Sequence, residues 1–194
     1  MQRHKVWLLG LALCLTLAAS AGFAEGAPPS LYQPKIAAQV PPMRVEVIDG
    51  VRFRDIETKA VYRLTGVDAC APGQTATLGR QPWPCGTLAI AWLVNATLNK
   101  WIACVTIRDE GDEHVARCAT AGYPDLAAAM LRAGMAVLTP AAPSEPATSA
   151  YASAEQDARK AYRGLWSSSF QMPWEWRAQQ AERSHTAAAA EARP

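Results

Sequence analysis

The sequence predicts a mixed α+β fold, mainly β, in which a small five-stranded antiparallel barrel carries about three helices. Three observations predict it. Val45 and Val47 alternate with other residues up to Asp49-Gly50, and the same patterning resumes through Val61, Leu64 and Val67. Period-two alternation around an Asp-Gly turn is a strong hairpin signal. A second pair of strand-like stretches, 101–107 and 116–121, flanks a charged turn at 108–115. Three stretches at helical spacing, 86–99, 126–132 and 149–163, separate and follow these pairs.

Taken in order, residues 43–68 give the hairpin. The segment between Val51 and Val67 is long enough to turn twice and add a third strand. Residues 72–84, rich in Gly, Thr and Pro, read as a loop. The helix at 86–99 is apolar on nearly every side, which implies burial on more than one face. Asn95-Ala96-Thr97 forms a glycosylation sequon in the middle of that helix, where it is accidental. Asp125 caps the helix at 126–132, and Gly134 suits its left-handed end. Residues 135–138 read as a last strand, and 141–147, with Pro143 and Pro146, as a loop before the third helix, which Gly164 closes. Three strands, a helix, two strands and two helices match a five-stranded OB barrel with helices packed across its open end. Such a barrel commonly binds oligonucleotides, although fold alone fixes no function.

The ends read differently. Residues 1–24 form a signal peptide: Arg3, His4 and Lys5 give the basic start, 6–19 are apolar, and 20–24 offer small-residue cleavage sites. The apolar run is shorter than the ~20 residues of a spanning helix, so the mature protein is expected without a membrane span, secreted or periplasmic. Leu13 argues against a lipoprotein site at Cys14. Residues 25–42, with five prolines, form an extended leader, 43–177 the domain, and 178–194 an Ala-rich tail left without structure.

Cleavage removes Arg3 and Lys5, taking the net charge from +2 to about zero, without the basic footprint of a strong nucleic-acid binder. It also removes Cys14 and leaves Cys70, Cys85, Cys104 and Cys118. An even cysteine count in an exported chain points to disulfides. Of three pairings, Cys70–Cys85 and Cys104–Cys118 are favoured because each flanks a predicted turn or hairpin. Zinc is disfavoured: there is no C-x-x-C, and the mature chain has only His114 and His185.

Several stretches in order are V-I-D-G at 47–50, Y-R-L-T-G-V-D-A at 62–69, G-Q at 73–74, W-P-C-G at 83–86 and V-A-R-C at 115–118. D-L-A-A-A-M-L-R-A-G-M-A at 125–136, R-G-L-W at 163–166 and M-P-W-E-W-R at 172–177 complete the series. Across about 130 residues they resemble the thermonuclease, or staphylococcal-nuclease-like, family in its exported, cysteine-containing bacterial branch. The resemblance implies phosphodiester hydrolysis in nucleic acid with calcium as cofactor. That chemistry needs oxygen ligands for a hard cation, arginines on a phosphate whose charge grows toward the transition state, and a glutamate at the attacking water.

Carried over by motif, the phosphate-gripping arginines match Arg63 and Arg117. A calcium ligand matches Asp68, and Asp49 matches an acidic neighbour of the cation. Two departures fall on the chemistry. Where the family carries a second calcium-binding aspartate this chain has Val51, and where it carries the general-base glutamate this chain has Ala71, with Cys70 in place of a proline. Neither side chain offers an oxygen, and a positioned base contributes roughly 10²–10⁴-fold in rate.

The resemblance and its gaps therefore imply an exported OB-fold protein with impaired hydrolysis that retains binding of phosphate or nucleic acid, any calcium site being weak or lost. One alternative is a working calcium-dependent nuclease that recruits Asp55, Glu57 or Glu113. The other is a structural or protein-interaction module, in which Arg63 pairs with Asp68 or Asp49 and closes the barrel mouth. His114 reads as a solvated turn residue, and Phe53 and Tyr62 are the candidates for stacking bases. Trp92, Trp101, Trp166, Trp174 and Trp176 read as packing anchors, the last three fastening the C-terminal segment.

Overall fold

A computed structural model describes residues 41–140 and 148–191. The expected signal peptide, the expected leader up to residue 40 and the expected loop at 141–147 lie outside the described residues. Among those described, the chain forms nine strands, four α-helices and a 3-10 turn, a mixed α+β fold.

The main sheet has the order β1-β2-β3-β8-β7. β1 (Val45–Val47), β2 (Arg52–Asp55) and β3 (Val61–Leu64) form an antiparallel meander. Asp49 starts the first turn as an Asx turn: its Oδ1 accepts from the backbone N–H of Val51 at 2.9 Å and of Arg52 at 2.8 Å. Gly50 is needed there for space rather than for a left-handed backbone. A Cβ at that point would lie 2.8 Å from the Cβ of Ala69 and 3.0 Å from that of Ala89.

β3 then pairs with β8 (Glu113–Ala119), and this pairing is parallel, so the sheet is not the all-antiparallel one expected. β7 (Ala103–Glu110) returns antiparallel to β8. No continuous ladder closes the sheet among the described residues. Its two edge strands are linked by one bridge, Met43 to Ile102, with reciprocal backbone hydrogen bonds of 2.9 and 2.8 Å. β4 (Val67–Asp68) pairs with β9 (Val137–Leu138).

Two stretches differ from expectation. Residues 72–84 contain a short hairpin, β5 (Ala76–Leu78) with β6 (Gln81–Trp83). Three-residue strands interrupted by Pro82 leave no alternation to read. The charged stretch 108–115 is mostly strand, because β7 runs to Glu110 and β8 starts at Glu113, leaving Gly111-Asp112 as the turn. Its outer residues are solvated, so their charge does not interrupt the ladder.

The core follows the strand alternation. Phe53 and Tyr62 are buried, with ring centroids 6.1 Å apart, so they are core residues and not an exposed stacking platform. The same alternation turns Arg52, Arg54 and Arg63 to the other face. α1 (Cys85–Thr97) buries Ala89, Leu93 and Ala96 but leaves Leu88 and Val94 exposed, so its apolar surface is buried on fewer sides than predicted. α2 (Leu126–Ala133) starts at Asp125, which accepts from the Ala128 N–H at 3.0 Å, and ends at left-handed Gly134. A Cβ on Gly134 would lie 2.1 Å from the Arg163 carbonyl oxygen.

α3 (Thr148–Lys160) and a 3-10 turn (Gly164–Ser167) lead to α4 (Pro173–Glu191). The tail expected without structure is thus helical as far as Glu191, in keeping with the high helix propensity of alanine. Trp166 and Trp174 pack against a small cluster around Cys70, Cys85, Val137 and Leu165. Trp92 is partly buried against Tyr123, but Trp101 is 60 % exposed and anchors nothing in the core.

Both favoured disulfides are present. Cys70–Cys85 ties the segment after β4 to the start of α1, and Cys104–Cys118 joins directly opposed residues of β7 and β8. Removing a disulfide from a small secreted domain costs about 2–5 kcal/mol. Cys104→Ser together with Cys118→Ser is expected to lower the unfolding free energy by an amount in that range, measured by urea unfolding with Cys70–Cys85 left intact. Gly134→Ala should also destabilise, by about 1–3 kcal/mol from backbone strain and the close carbonyl.

Candidate functional site

The outer face of β2 and β3 floors a cavity of about 620 Å³ whose charged lining includes Asp49, Arg52, Arg63, Asp68, Glu110 and Glu113. Arg108 and Arg177 complete the charged wall, and Val51 and Ala71 line it as hydrocarbon. Of the residues singled out in the sequence, Asp49, Arg63 and Asp68 are brought together here.

Arg52 and Arg63 are cross-strand partners, and like charges so placed repel. Glu113 lies between them, its Oε1 accepting from Arg52 Nη1 at 2.8 Å and its Oε2 lying 3.5 Å from Arg63 Nε. Arg63 Nη2 also donates to Glu110, which accepts from Arg108 Nε at 2.7 Å. Arg52 Nε donates to Asp49 Oδ2 at 2.6 Å. Arg177, from the first turns of α4, grips Asp68 with both terminal nitrogens, Nη1 to Oδ1 at 3.1 Å and Nη2 to Oδ2. Four guanidinium groups thus face four carboxylates. The hydrogen bond to Glu113 raises the Arg52 pKa. That from Arg108, helped by the charge of Arg63, holds the Glu110 carboxyl below its ordinary value.

Arg117 does not line the cavity. It stands four residues beyond Glu113 along an extended strand, roughly 13 Å farther from the turn at ~3.3 Å per residue. Its Nε is buried, 3.7 Å from Asp125 Oδ2, and the Tyr151 hydroxyl donates to the same carboxylate at 3.0 Å. Burial pushes Asp125 above the usual carboxylate range, although the Ala128 N–H, Tyr151 and Arg117 all act the other way. Burial likewise raises the Tyr151 phenol, and the Asp125 charge adds to it.

Of the three carboxylates considered as replacements, only Glu113 reaches the cavity. Asp55 is buried in the β2–β3 turn, accepting from the Glu57 N–H and the Thr58 hydroxyl. Glu57 lies in the same turn and is exposed. His114 is half-exposed, with Nδ1 2.6 Å from Asp109 Oδ1 and its ring tilted against Tyr62. Sequence reasoning missed Arg52, Arg108, Glu110 and Arg177. Arg52 had a signal, since period two places it beside Arg63. Arg177 closes the M-P-W-E-W-R stretch, where only its tryptophans drew notice.

A calcium shell needs six to eight oxygens. Asp49 has both oxygens engaged by backbone N–H groups and Arg52. Asp68 has both engaged by Arg177, and its Oδ1 also accepts from the Ala69 N–H at 2.9 Å. Val51 and Ala71 supply no donor. Among the described residues no group of three or more His, Cys, Asp or Glu side chains is placed to hold a metal ion. The residues present do not fit calcium.

The model of the staphylococcal nuclease homologue family matches residues 61–168, more than half of the chain. The chain belongs to the staphylococcal nuclease homologue family. None of the curated proteins matches it. The family match takes in Arg63, Asp68, Ala71, Glu110 and Glu113, whereas Asp49, Val51, Arg52 and Arg177 of this nuclease homologue lie outside the matched span. Among the described residues no helix is long and apolar enough to cross a membrane, and the two disulfides fit an oxidising compartment.

Asp125 gives a pH test. A carboxyl whose folded pKa is raised binds its proton more readily in the folded state, so its contribution to stability falls as pH rises from its unfolded value through its folded one. Asp125→Asn keeps a capping oxygen and removes this titration. The stability of Asp125→Asn relative to the parent should therefore improve as pH rises from 4 to 7, measured by urea unfolding at each pH. A relative loss would mean that the Arg117 ion pair outweighs the burial of the charge.

Proposed function

We propose that this staphylococcal nuclease homologue is an exported protein in which phosphodiester hydrolysis is impaired and the arginine-lined cavity binds phosphate groups, nucleic acid included, without a resident calcium ion. The sheet and its Met43–Ile102 bridge support reading the domain as an OB-type barrel with the cavity at its mouth. The observation that carries the proposal is the donor set. Hydrocarbon stands at Val51 and Ala71, and every carboxylate lining the cavity is in contact with a guanidinium. A carboxylate held in an ion pair and lowered in pKa, as Glu110 is, makes a poor proton acceptor. The basic, apolar, small-residue pattern of residues 1–24 and the two disulfides support passage to the periplasm or the outside.

The convergence of Glu110 and Glu113 on Arg63 favours a second reading, in which one of these glutamates orients water and the protein retains nuclease activity. The two readings separate in one experiment. Protein purified from an exporting host is incubated with DNA and with RNA, with and without calcium. The expected result is no calcium-dependent cleavage above background, together with salt-sensitive oligonucleotide binding that falls in Arg63→Ala. Robust cleavage abolished by both Arg63→Ala and Glu113→Gln would overturn the proposal in favour of the second reading. Absence of both cleavage and low-salt binding would leave the cavity as a structural ion-pair network.

A further inference from the structure

Arg177 reaches the cavity from outside the sheet. It is delivered by α4, whose Trp174 lies on the cavity wall and packs against the cluster around Cys70, Cys85 and Leu165. Asp68 is nearly buried, and a buried carboxylate needs a counter-charge. A fork-to-fork guanidinium pair supplies it through both oxygens at once.

We propose that Arg177 is a built-in counter-cation: its guanidinium holds the place at Asp68 that a divalent ion would otherwise take, so that α4 acts as an autoinhibitory plug against metal at this site. The inference rests on the reading of the cavity as a phosphate site without calcium. The argument is one of competition. The guanidinium is tethered to the chain and fastened by Trp174, so it faces Asp68 at a high effective concentration. A metal ion must displace it and then accept a shell from which Val51 and Ala71 contribute nothing. Trp174, three residues before Arg177, packs on the cluster around Cys70, Cys85 and Leu165 and so holds the helix start at the cavity.

Terbium is a suitable probe, because it takes the same oxygen ligands as calcium and a nearby tryptophan, here Trp174, sensitises its emission. The full chain and its variants are titrated with terbium and followed by tryptophan-sensitised luminescence. The native protein and Arg177→Lys, which keeps the charge, should bind weakly. Arg177→Gln should bind about tenfold more tightly, affinity following the net charge of the ligand set, and adding Asp68→Asn should abolish the gain. The Arg177 side chain is 49 % exposed, so the glutamine variant is expected to fold, as a native far-UV circular dichroism spectrum and a cooperative thermal transition in chelator would show, with a midpoint lowered by the loss of the Asp68 counter-charge. A folded Arg177→Gln no tighter than the native protein overturns the inference, and so does a gain that survives Asp68→Asn. Either result without cleavage by the native protein leaves the proposed function standing. Calcium-dependent cleavage together with tight, Asp68-dependent terbium binding by the native protein overturns both.

Discussion

The cavity depends on the parallel register of β3 against β8, with Val61 opposite Glu113 and Arg63 opposite Val115. That register brings the tip of the β7–β8 hairpin to the outer face of the meander. Without it, Arg52 and Arg63 would face each other as like charges on neighbouring strands, with only Asp49 against Arg52 to offset them. With it, Glu113 stands between them and Glu110 covers the far side of Arg63. The Cys104–Cys118 bond pins the opposite end of the same hairpin. A covalent constraint at one end of a two-stranded ribbon thus fixes the electrostatics at the other.

The ion pairs contribute more to specification than to stability. Half-exposed pairs are worth about 0–1 kcal/mol each, and burying them further returns little because desolvation offsets the attraction. Their effect is on the field. Four cations interleaved with four anions present little net potential to an approaching ligand, unlike a bare arginine cluster. An anion entering the cavity must displace a carboxylate. Glu110, with its side chain 43 % exposed against 27 % for Glu113, returns to water at the lower cost. The binding proposed at Arg63 would therefore begin with the release of Glu110.

What the sequence made legible was local. Asp49-Gly50 marks its turn as an Asp-Gly pair between alternating stretches, Asp125 and Gly134 mark the ends of α2, and the cysteines pair across the elements they flank. Arg63 and Asp68 follow from a strand and its end. The burial of Phe53 and Tyr62 was also readable, because alternation that faces Arg52, Arg54 and Arg63 outward must face these rings inward. The rest depended on distant pairings. Nothing near Glu110, Arg108 or Arg177 says which strand or loop each will meet, because the parallel β3–β8 contact and the return of α4 join segments separated by many residues. Arg117 shows the same limit from the other side: it shares a strand face with Glu113, yet four residues along that strand carry it away from the cavity to a different partner, Asp125.

Charge counting links the two hydrocarbon substitutions to the arginines around them. The cavity has Asp49, Asp68, Glu110 and Glu113 against Arg52, Arg63, Arg108 and Arg177, a sum of zero. Carboxylates at 51 and 71, as in the family pattern, would make the same set −2, the charge that one calcium ion cancels. With hydrocarbon at both positions the set is neutral without an ion, the guanidinium of α4 being one of its four cations. It also explains how nearly buried Asp68 is tolerated: its counter-charge is part of the chain and present whenever α4 is docked. The stability of this cavity should therefore track the docking of α4 rather than the concentration of a divalent cation, since the group that neutralises Asp68 arrives with the helix.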